Sequence, residues 1–282
     1  MRPTFDEIVA SKAISADKRQ KDLRALRSFA AVENKRCFTG NKFLYHHQIA
    51  NLCRASSNYH KSLWDIMGDE KEYDSLWEKV VKLNRTGAIA TRVLEAWRFN
   101  GCVAMFKATT AMFLYRKYKA TKVLDPTAGW GGRMLGAWAL GIDYTGIDTN
   151  ERMAPAYEAM MDELPETGSD LSMLFQSCLE TDFSKIDYDF VLTSPPYINL
   201  ERYEGMTPFA SKAAFYKEFL IPLIEKCLAH IKPGGLVCFN ISPQMYKDLQ
   251  KHGFRACDMT EDLLQQKRLN ADKGDKIYIW RK

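Results

Sequence analysis

No apolar run in this chain approaches the roughly 18 to 20 residues that a membrane-crossing helix requires, and no apolar core follows the charged N-terminus. These absences argue against a spanning helix and against a secretory leader of the usual kind, so the expectation is a soluble, cytoplasmic protein. Paired cysteines are missing too. The seven cysteines, at positions 37, 53, 102, 178, 227, 238 and 257, include no C-x-x-C pair, and several sit in apolar stretches. Scattered thiols of this sort read as reduced and intracellular rather than as a disulfide framework. Histidine is scarce, with five in all. Cys37, His46, His47, Cys53 and His60 fall at intervals that match no familiar zinc pattern, and neighbouring His46 and His47 point different ways on a helix, so no metal is expected. Internal repeats and low-complexity tracts are absent as well.

A shortage of acid confined to one region is more informative. Residues 1–100 carry 18 Lys and Arg against 12 Asp and Glu, whereas residues 101–282 carry 22 against 23. A mild basic excess fits a polyanion partner and equally fits a solvated helix surface. The same first third has few glycines or prolines, and Leu23, Leu26, Phe29 and Ala30 recur at helical spacing, with Lys18, Arg19, Lys21, Arg24 and Arg27 around them. Residues 1–99 are therefore expected to form a helical, basic region, and residues 100–282 a second domain.

From about residue 100 the pattern turns to alternation. Helices are predicted over 106–118, 132–140, 152–164 and 215–230, and strands over 122–124, 144–147, 171–175, 190–193, 236–241 and 276–280. Strands separated by helices predict an α/β fold, a mostly parallel sheet with helices on both faces, whose ligands gather at the carboxyl ends of the strands. Two motifs fall at such ends. Asp125-Pro126-Thr127-Ala128-Gly129-Trp130-Gly131-Gly132 follows the apolar Val123-Leu124, and its glycines permit positive φ and close approach of backbone to a ligand. Asp125 is an acceptor suited to an ammonium group. Asp148 ends the next strand, where a carboxylate can accept from both hydroxyls of a ribose. Ser194-Pro195-Pro196-Tyr197 follows Asp189-Phe190-Val191-Leu192-Thr193. This short, stiff loop with an aromatic tip suits the grip of a flat amine.

In these motifs, taken in order, residues 100–282 resemble the Rossmann-like S-adenosylmethionine-dependent methyltransferases, in particular the DNA amino-methyltransferases. The resemblance implies that Phe106, Lys107, Asp125, Thr127, Ala128, Gly129, Gly131, Asp148 and Thr149 bind the methyl donor, with Phe106 beside its methionine end. It implies that the loop Gln176-Ser177-Cys178-Leu179 lies by the adenine, where Ser177 and Cys178 stand in place of the acidic residue common there. Ser194, Pro195, Pro196 and Tyr197 would be catalytic. The Ser194 hydroxyl and the Pro195 carbonyl would accept the two N–H bonds of an exocyclic amine, turning its lone pair toward the donor methyl. Tyr197 would stack on a base flipped out of a DNA duplex. The form Ser-Pro-Pro-Tyr looks most like cytosine-N4 enzymes, and adenine-N6 enzymes use it as well. Ile198 to Tyr203 and Lys232-Pro233-Gly234-Gly235 resemble DNA methylases common in phage and large-virus genomes. Only about 17 residues separate Tyr197 from the helix at Phe215, too few for a large target-recognition insertion. Sequence reading would then fall to the basic N-terminal region, with the 199–212 loop as a lid and Arg202 and Tyr203 touching phosphate and base. Methylation of RNA or of a protein glutamine, and a non-catalytic nucleic-acid-binding subunit, are the alternatives.

Overall fold

The computed structural model describes residues 2–32, 37–57, 60–83, 86–98, 103–197, 201–202, 209–263 and 275–282, with 201–202 described by backbone alone. Its centre is a seven-stranded sheet built from β2 (Lys122–Asp125), β3 (Asp143–Asp148), β4 (Leu171–Phe175), β5 (Phe190–Thr193), β7 (Leu236–Ile241), β8 (Met259–Asp262) and β9 (Lys276–Arg281). The order across the sheet is β4-β3-β2-β5-β7-β9-β8. The first five strands are mutually parallel, and β9 runs antiparallel to both β7 and β8. From β2 the chain winds outward through β3 and β4, then returns to place β5 on β2's other side. The order therefore reverses between β2 and β5, where open α/β sheets bind ligands. This is the mostly parallel α/β sheet that the alternation of elements predicts.

Strand alternation divides the core in two. Val123, Phe190, Leu192, Leu236, Cys238, Ile277 and Ile279 face one layer, while Leu124, Val191, Val237, Phe239, Ile241, Tyr278 and Trp280 face the other. Such period-2 separation, with both faces apolar, belongs to a sheet covered on both sides. The first layer holds α7 (Ala108–Tyr118), α8 (Gly132–Leu140) and α9 (Ala154–Glu163); the second holds α11 (Ile221–His230) and α12 (Pro243–Lys251). The helix expected from 215 begins at α10 (Lys212–Ala214) and reaches α11 through a six-residue π segment, Phe215–Leu220.

The first hundred residues supply α1 (Phe5–Ala10), α2 (Ala16–Arg27), α3 (Asn41–Arg54), α4 (Leu63–Gly68), α5 (Glu70–Lys82) and α6 (Ile89–Arg98). They do not form one separate body. Leu23 and Leu26 of α2 and Phe43, Leu44 and Leu52 of α3 join the first sheet layer, whereas Phe5, Ile8, Ile49, Leu63, Leu76, Val80 and Trp97 form a core of their own. The buried Asp22 carboxylate accepts from the backbone N–H groups of Lys42 (2.9 Å) and Phe43 (3.2 Å), joining α2 to the first turn of α3. A two-residue strand, β1 (Ser56–Ser57), pairs antiparallel with β6 (Glu201–Arg202), placing Ser56 opposite Arg202 and Ser57 opposite Glu201. The N-terminal region thus reaches the segment directly beyond the Ser-Pro-Pro-Tyr loop. Among the described residues no helix is long and apolar enough to cross a membrane, and the six described cysteines are free thiols.

A polar latch at Glu163 holds α2 and α3 on α9. Arg19 Nε lies 2.8 Å from Glu163 Oε1, His47 Nε2 lies 3.0 Å from Glu163 Oε2, and His46 Nδ1 accepts from the Ile14 N–H at 3.1 Å. Burial holds His46 and His47 below the ordinary histidine value; Arg19 adds to this at both, the His46 charge adds to it at His47, and Glu163 opposes. Burial pushes Glu163 up, but Arg19 and His47 outweigh it and hold the carboxyl below its usual value. All three groups resist protonation when folded, so the latch is at full strength above the ordinary histidine pKa of 6.5 and weakens as pH falls below it. The melting temperature is expected to drop between about pH 7.5 and about pH 5.5, and less so in His46→Gln, which lacks the titrating acceptor. Equal pH dependence in the two proteins would count against this latch.

Candidate active site

The two motifs meet in one corner at the reversal of strand order, and Thr193, the last residue of β5, is the joint. Its Oγ1 donates to Asp125 Oδ1 at 2.8 Å. With that proton committed, its two lone pairs take the Thr127 N–H at 3.1 Å and the Thr127 hydroxyl at 2.6 Å. Thr193 is therefore fully satisfied, and it fixes the glycine turn to the residue immediately before Ser194. No feature of the sequence pattern marked it.

The turn is held from below by a buried ion pair. Arg133, one residue into α8, places Nε 2.6 Å from Asp125 Oδ2 and donates through Nη2 to the Thr127 carbonyl at 2.6 Å. Tyr144 of β3 donates to the same carboxylate at 2.7 Å. Burial works against the Arg133 charge, but Asp125 beside it keeps the guanidinium firmly protonated. The expectation that Asp125 receives a ligand's ammonium is corrected by these contacts. Its side chain is fully buried, and its two oxygens already serve Arg133, Tyr144 and Thr193. The Asp125 carboxylate thus ties α8, β3 and β5 together at the base of the corner.

Glycine is required at two points above this base. Gly131, with φ of 83°, caps α8 in the left-handed region. A Cβ on Gly132 would stand 1.8 Å from the Phe106 carbonyl oxygen, so only a bare backbone lets the start of α8 pass the Phe106 main chain. The Phe106 ring lies 5.1 Å beneath the Arg133 guanidinium. Gly129 is different: a Cβ there would meet nothing nearer than 3.9 Å, so that face of the turn is open. Its N–H donates to Asp148 Oδ2 at 2.9 Å, and its carbonyl accepts from the Tyr157 hydroxyl at 2.8 Å. Asp148 Oδ1 takes the Asn150 N–H at 3.0 Å. Half-buried and aimed by two backbone donors, the Asp148 carboxyl is raised above its usual value by burial, against the opposing pull of those donors. One acceptor position remains on each oxygen.

The other predicted donor residues are more dispersed. Ala128 is buried and donates its N–H to the Ile147 carbonyl at 2.9 Å. Lys107 caps α7 with a buried side chain whose Nζ lies 5.3 Å over the Phe38 ring. Thr149 is exposed. Asp148 stands opposite Phe175 in the β3–β4 register, which puts Ser177 and Cys178 just past the neighbouring strand end. The Ser177 carbonyl is occupied by Thr181, and the Cys178 thiol is pushed up to about 12 by burial, which excludes it as a nucleophile near neutral pH.

In the tetrapeptide, Pro195 is buried, and Ser194, Pro196 and Tyr197 are half-buried. Ser194 Oγ accepts from Asn240 Nδ2 at 3.0 Å, a neighbour on β7 that the sequence reading did not single out. Tyr203 lies outside the described residues, and Arg202 is described only as backbone in β6. Of the basic side chains of α2, Arg27 is directed away from this corner. Arg27 stacks at 5.8 Å on Trp138, in the last turn of α8 and so at the end remote from the glycine turn.

No protein-family model matches the chain, and no curated protein matches it. Solved structures do. TrmN from Thermus thermophilus is 16% identical with a TM-score of 0.44, over 62% of this chain and 48% of TrmN, so this chain spans about half of that one. An RNA methyltransferase from Salinibacter ruber, in complex with S-adenosyl-L-homocysteine, is 18% identical with a TM-score of 0.39 over 64% of this chain and 93% of its own. The N-methyltransferase NodS from Bradyrhizobium japonicum WM9 is 12% identical with a TM-score of 0.40, over 62% and 93%. The fold assignment rests on the strand order given above.

Proposed function

We propose that the protein transfers a methyl group from S-adenosylmethionine to the exocyclic amino nitrogen of a base in DNA, cytosine N4 or adenine N6. The observation that carries this reading is Thr193, bonded at once to Asp125 and Thr127 and adjacent to Ser194, which makes the glycine turn and the tetrapeptide one corner. The donor fits the residues present. The open face of Gly129 and the remaining acceptor positions of Asp148 suit a ribose, and the first turn of α8 offers backbone N–H groups to a carboxylate. Phe106, Lys107, Ala128 and Gly131 would complete that side, with Thr149, Ser177 and Cys178 toward the adenine. When bound, the donor supplies an electrophilic methyl carbon whose bond to sulfur breaks as the bond to nitrogen forms.

The protein's part is orientation. An exocyclic amine is a weak nucleophile because its lone pair is delocalised into the ring. Ser194 Oγ and the Pro195 carbonyl accept its two N–H bonds and draw the pair out toward the methyl. The methylated nitrogen is cationic and acidic, so its proton passes to water without a strong base. Pro195 and Pro196 restrict the backbone that carries both acceptors, and Tyr197 offers a stacking face. The likeness of Ser-Pro-Pro-Tyr to DNA amino-methyltransferases supports DNA as the polymer. The β1–β6 pairing supports a part for the N-terminal region in holding the loop that would meet it.

Incubation with labelled S-adenosylmethionine and either DNA or RNA, followed by nucleoside mass spectrometry, tests the reading. The expected product is an N-methylated cytosine or adenine in DNA. Methylated RNA alone moves the assignment to the RNA alternative, and no methyl on any amine sinks it.

A further inference from the structure

Asn240 is a buried polar residue of the corner that folding alone does not call for. It lies on β7 beside the end of β5, where Thr193 is in register with Phe239, so the ladder puts Asn240 next to Ser194. The residue is 6% exposed. Nδ2 donates to Ser194 Oγ at 3.0 Å, and Oδ1 is shielded from solvent and has no hydrogen-bond partner among the described residues. A buried amide with a stranded oxygen disfavours the folded state compared with an apolar side chain of the same shape. The next strand position, Ile241, is buried and apolar, as are the positions before Asn240. A core built for stability alone is better served by leucine here.

Ser194 does require a partner. A serine hydroxyl turns about its C–O bond and offers one proton and two lone pairs. Turned one way, the proton binds the amine nitrogen and ties up the pair that must attack. Turned the other way, an oxygen lone pair receives the amine N–H and releases the nitrogen pair from the ring. An N–H held rigidly on one side of Oγ fixes where the remaining lone pair and the proton can point. We propose that Asn240 is a positioning residue that acts through Ser194, holding its hydroxyl so that an oxygen lone pair faces the acceptor amine. This assignment rests on the amine-methylation reading above.

The test is a double-mutant cycle of Asn240→Leu and Ser194→Ala, read as kcat and KM for nucleic acid, S-adenosylhomocysteine affinity by calorimetry, and melting temperature. Asn240→Leu is expected to lower kcat roughly 10- to 100-fold, with donor-product affinity unchanged and the melting temperature equal to or above wild type. In the Ser194→Ala background it is expected to cost nothing more, because the group it positions is gone. A fall in melting temperature parallel to the loss of turnover makes Asn240 merely structural and overturns the proposal. So does an equal loss in both backgrounds, or full turnover in Asn240→Leu. If the leucine variant does not fold, that outcome also assigns Asn240 to folding, provided Asn240→Ala shows the same loss of stability. An active wild type with an unaffected Asn240 variant defeats this assignment alone; a wild type that methylates no amine defeats the parent reading and this with it.

Discussion

Asp125→Ala is expected to cost the protein about 3 to 5 kcal/mol of stability, the amount typical of breaking a buried ion pair from one side. The magnitude follows from what remains. Arg133 keeps its charge at 4% side-chain exposure with no carboxylate beside it, and the Tyr144 and Thr193 hydroxyls lose their acceptor. Total stabilities of natural domains are around 5 to 15 kcal/mol, so the variant sits close to unfolding. Asp125→Asn keeps the shape and the acceptor for Thr193 but not the counter-charge, and is expected to fall between the two. Urea titration at neutral pH measures both. A carboxylate whose task was to greet a ligand's ammonium would behave in the opposite way, leaving stability intact and weakening donor affinity. That result would return Asp125 to the role first expected of it.

Asp125 also marks where sequence reasoning stops. The strand, the glycine turn and the second strand with its terminal Asp148 were all legible, because periodicity and glycine spacing are local properties of the chain. The consumption of the Asp125 carboxylate was not, because its partners come from 8, 19 and 68 residues away. Thr193 and Asn240 were hidden for the same reason: each looks like an ordinary strand residue until the neighbouring strand is in place. Other omissions had visible signals. Ser242-Pro243 is an N-cap followed by a first-turn proline, which opens α12. β8 escaped because Met259–Asp262 carries two acids at the sheet edge, where charge guards the strand's open side rather than excluding a strand. The two-residue strands β1 and β6 are too short for any period to register.

The same distinction governs the N-terminal region. Its helical character and the apolar stripe of α2 were readable, but the destination of the stripe was not. Leu23 and Leu26 pack into the sheet's own first layer, so a boundary near residue 100 separates sequence patterns more sharply than it separates cores. The basic side chains of α2 follow from that packing. They occupy the half of the helix left over, exposed at Lys18, Lys21, Arg24 and Arg27, with Arg27 stacked on Trp138. The β1–β6 pairing joins this region to the segment beyond the Ser-Pro-Pro-Tyr loop.

Pro195→Ala and Tyr197→Ala are expected to remove turnover while sparing the donor. The contacts assigned to the donor lie on Gly129, Asp148 and the start of α8, and none of them passes through the tetrapeptide. Affinity for S-adenosylhomocysteine should therefore stay within a few-fold of wild type. Alanine at 195 restores a backbone N–H and frees φ in a buried segment, so the carbonyl beside Ser194 loses its fixed aim. A misplacement near 1 Å in such an acceptor is worth about 100-fold in rate, and loss of a charge-stabilising contact about 100- to 1,000-fold. Tyr197→Ala should express itself in KM as well as kcat, since stacking a flipped base on an aromatic ring contributes about 1 to 3 kcal/mol. Calorimetry and steady-state kinetics on the same preparations separate the two halves of the corner. A Pro195 variant that keeps its full rate would move the amine away from Ser194 and Pro195. One that loses donor affinity together with rate would mean that the glycine turn and the tetrapeptide do not divide the work between donor and acceptor as assigned here.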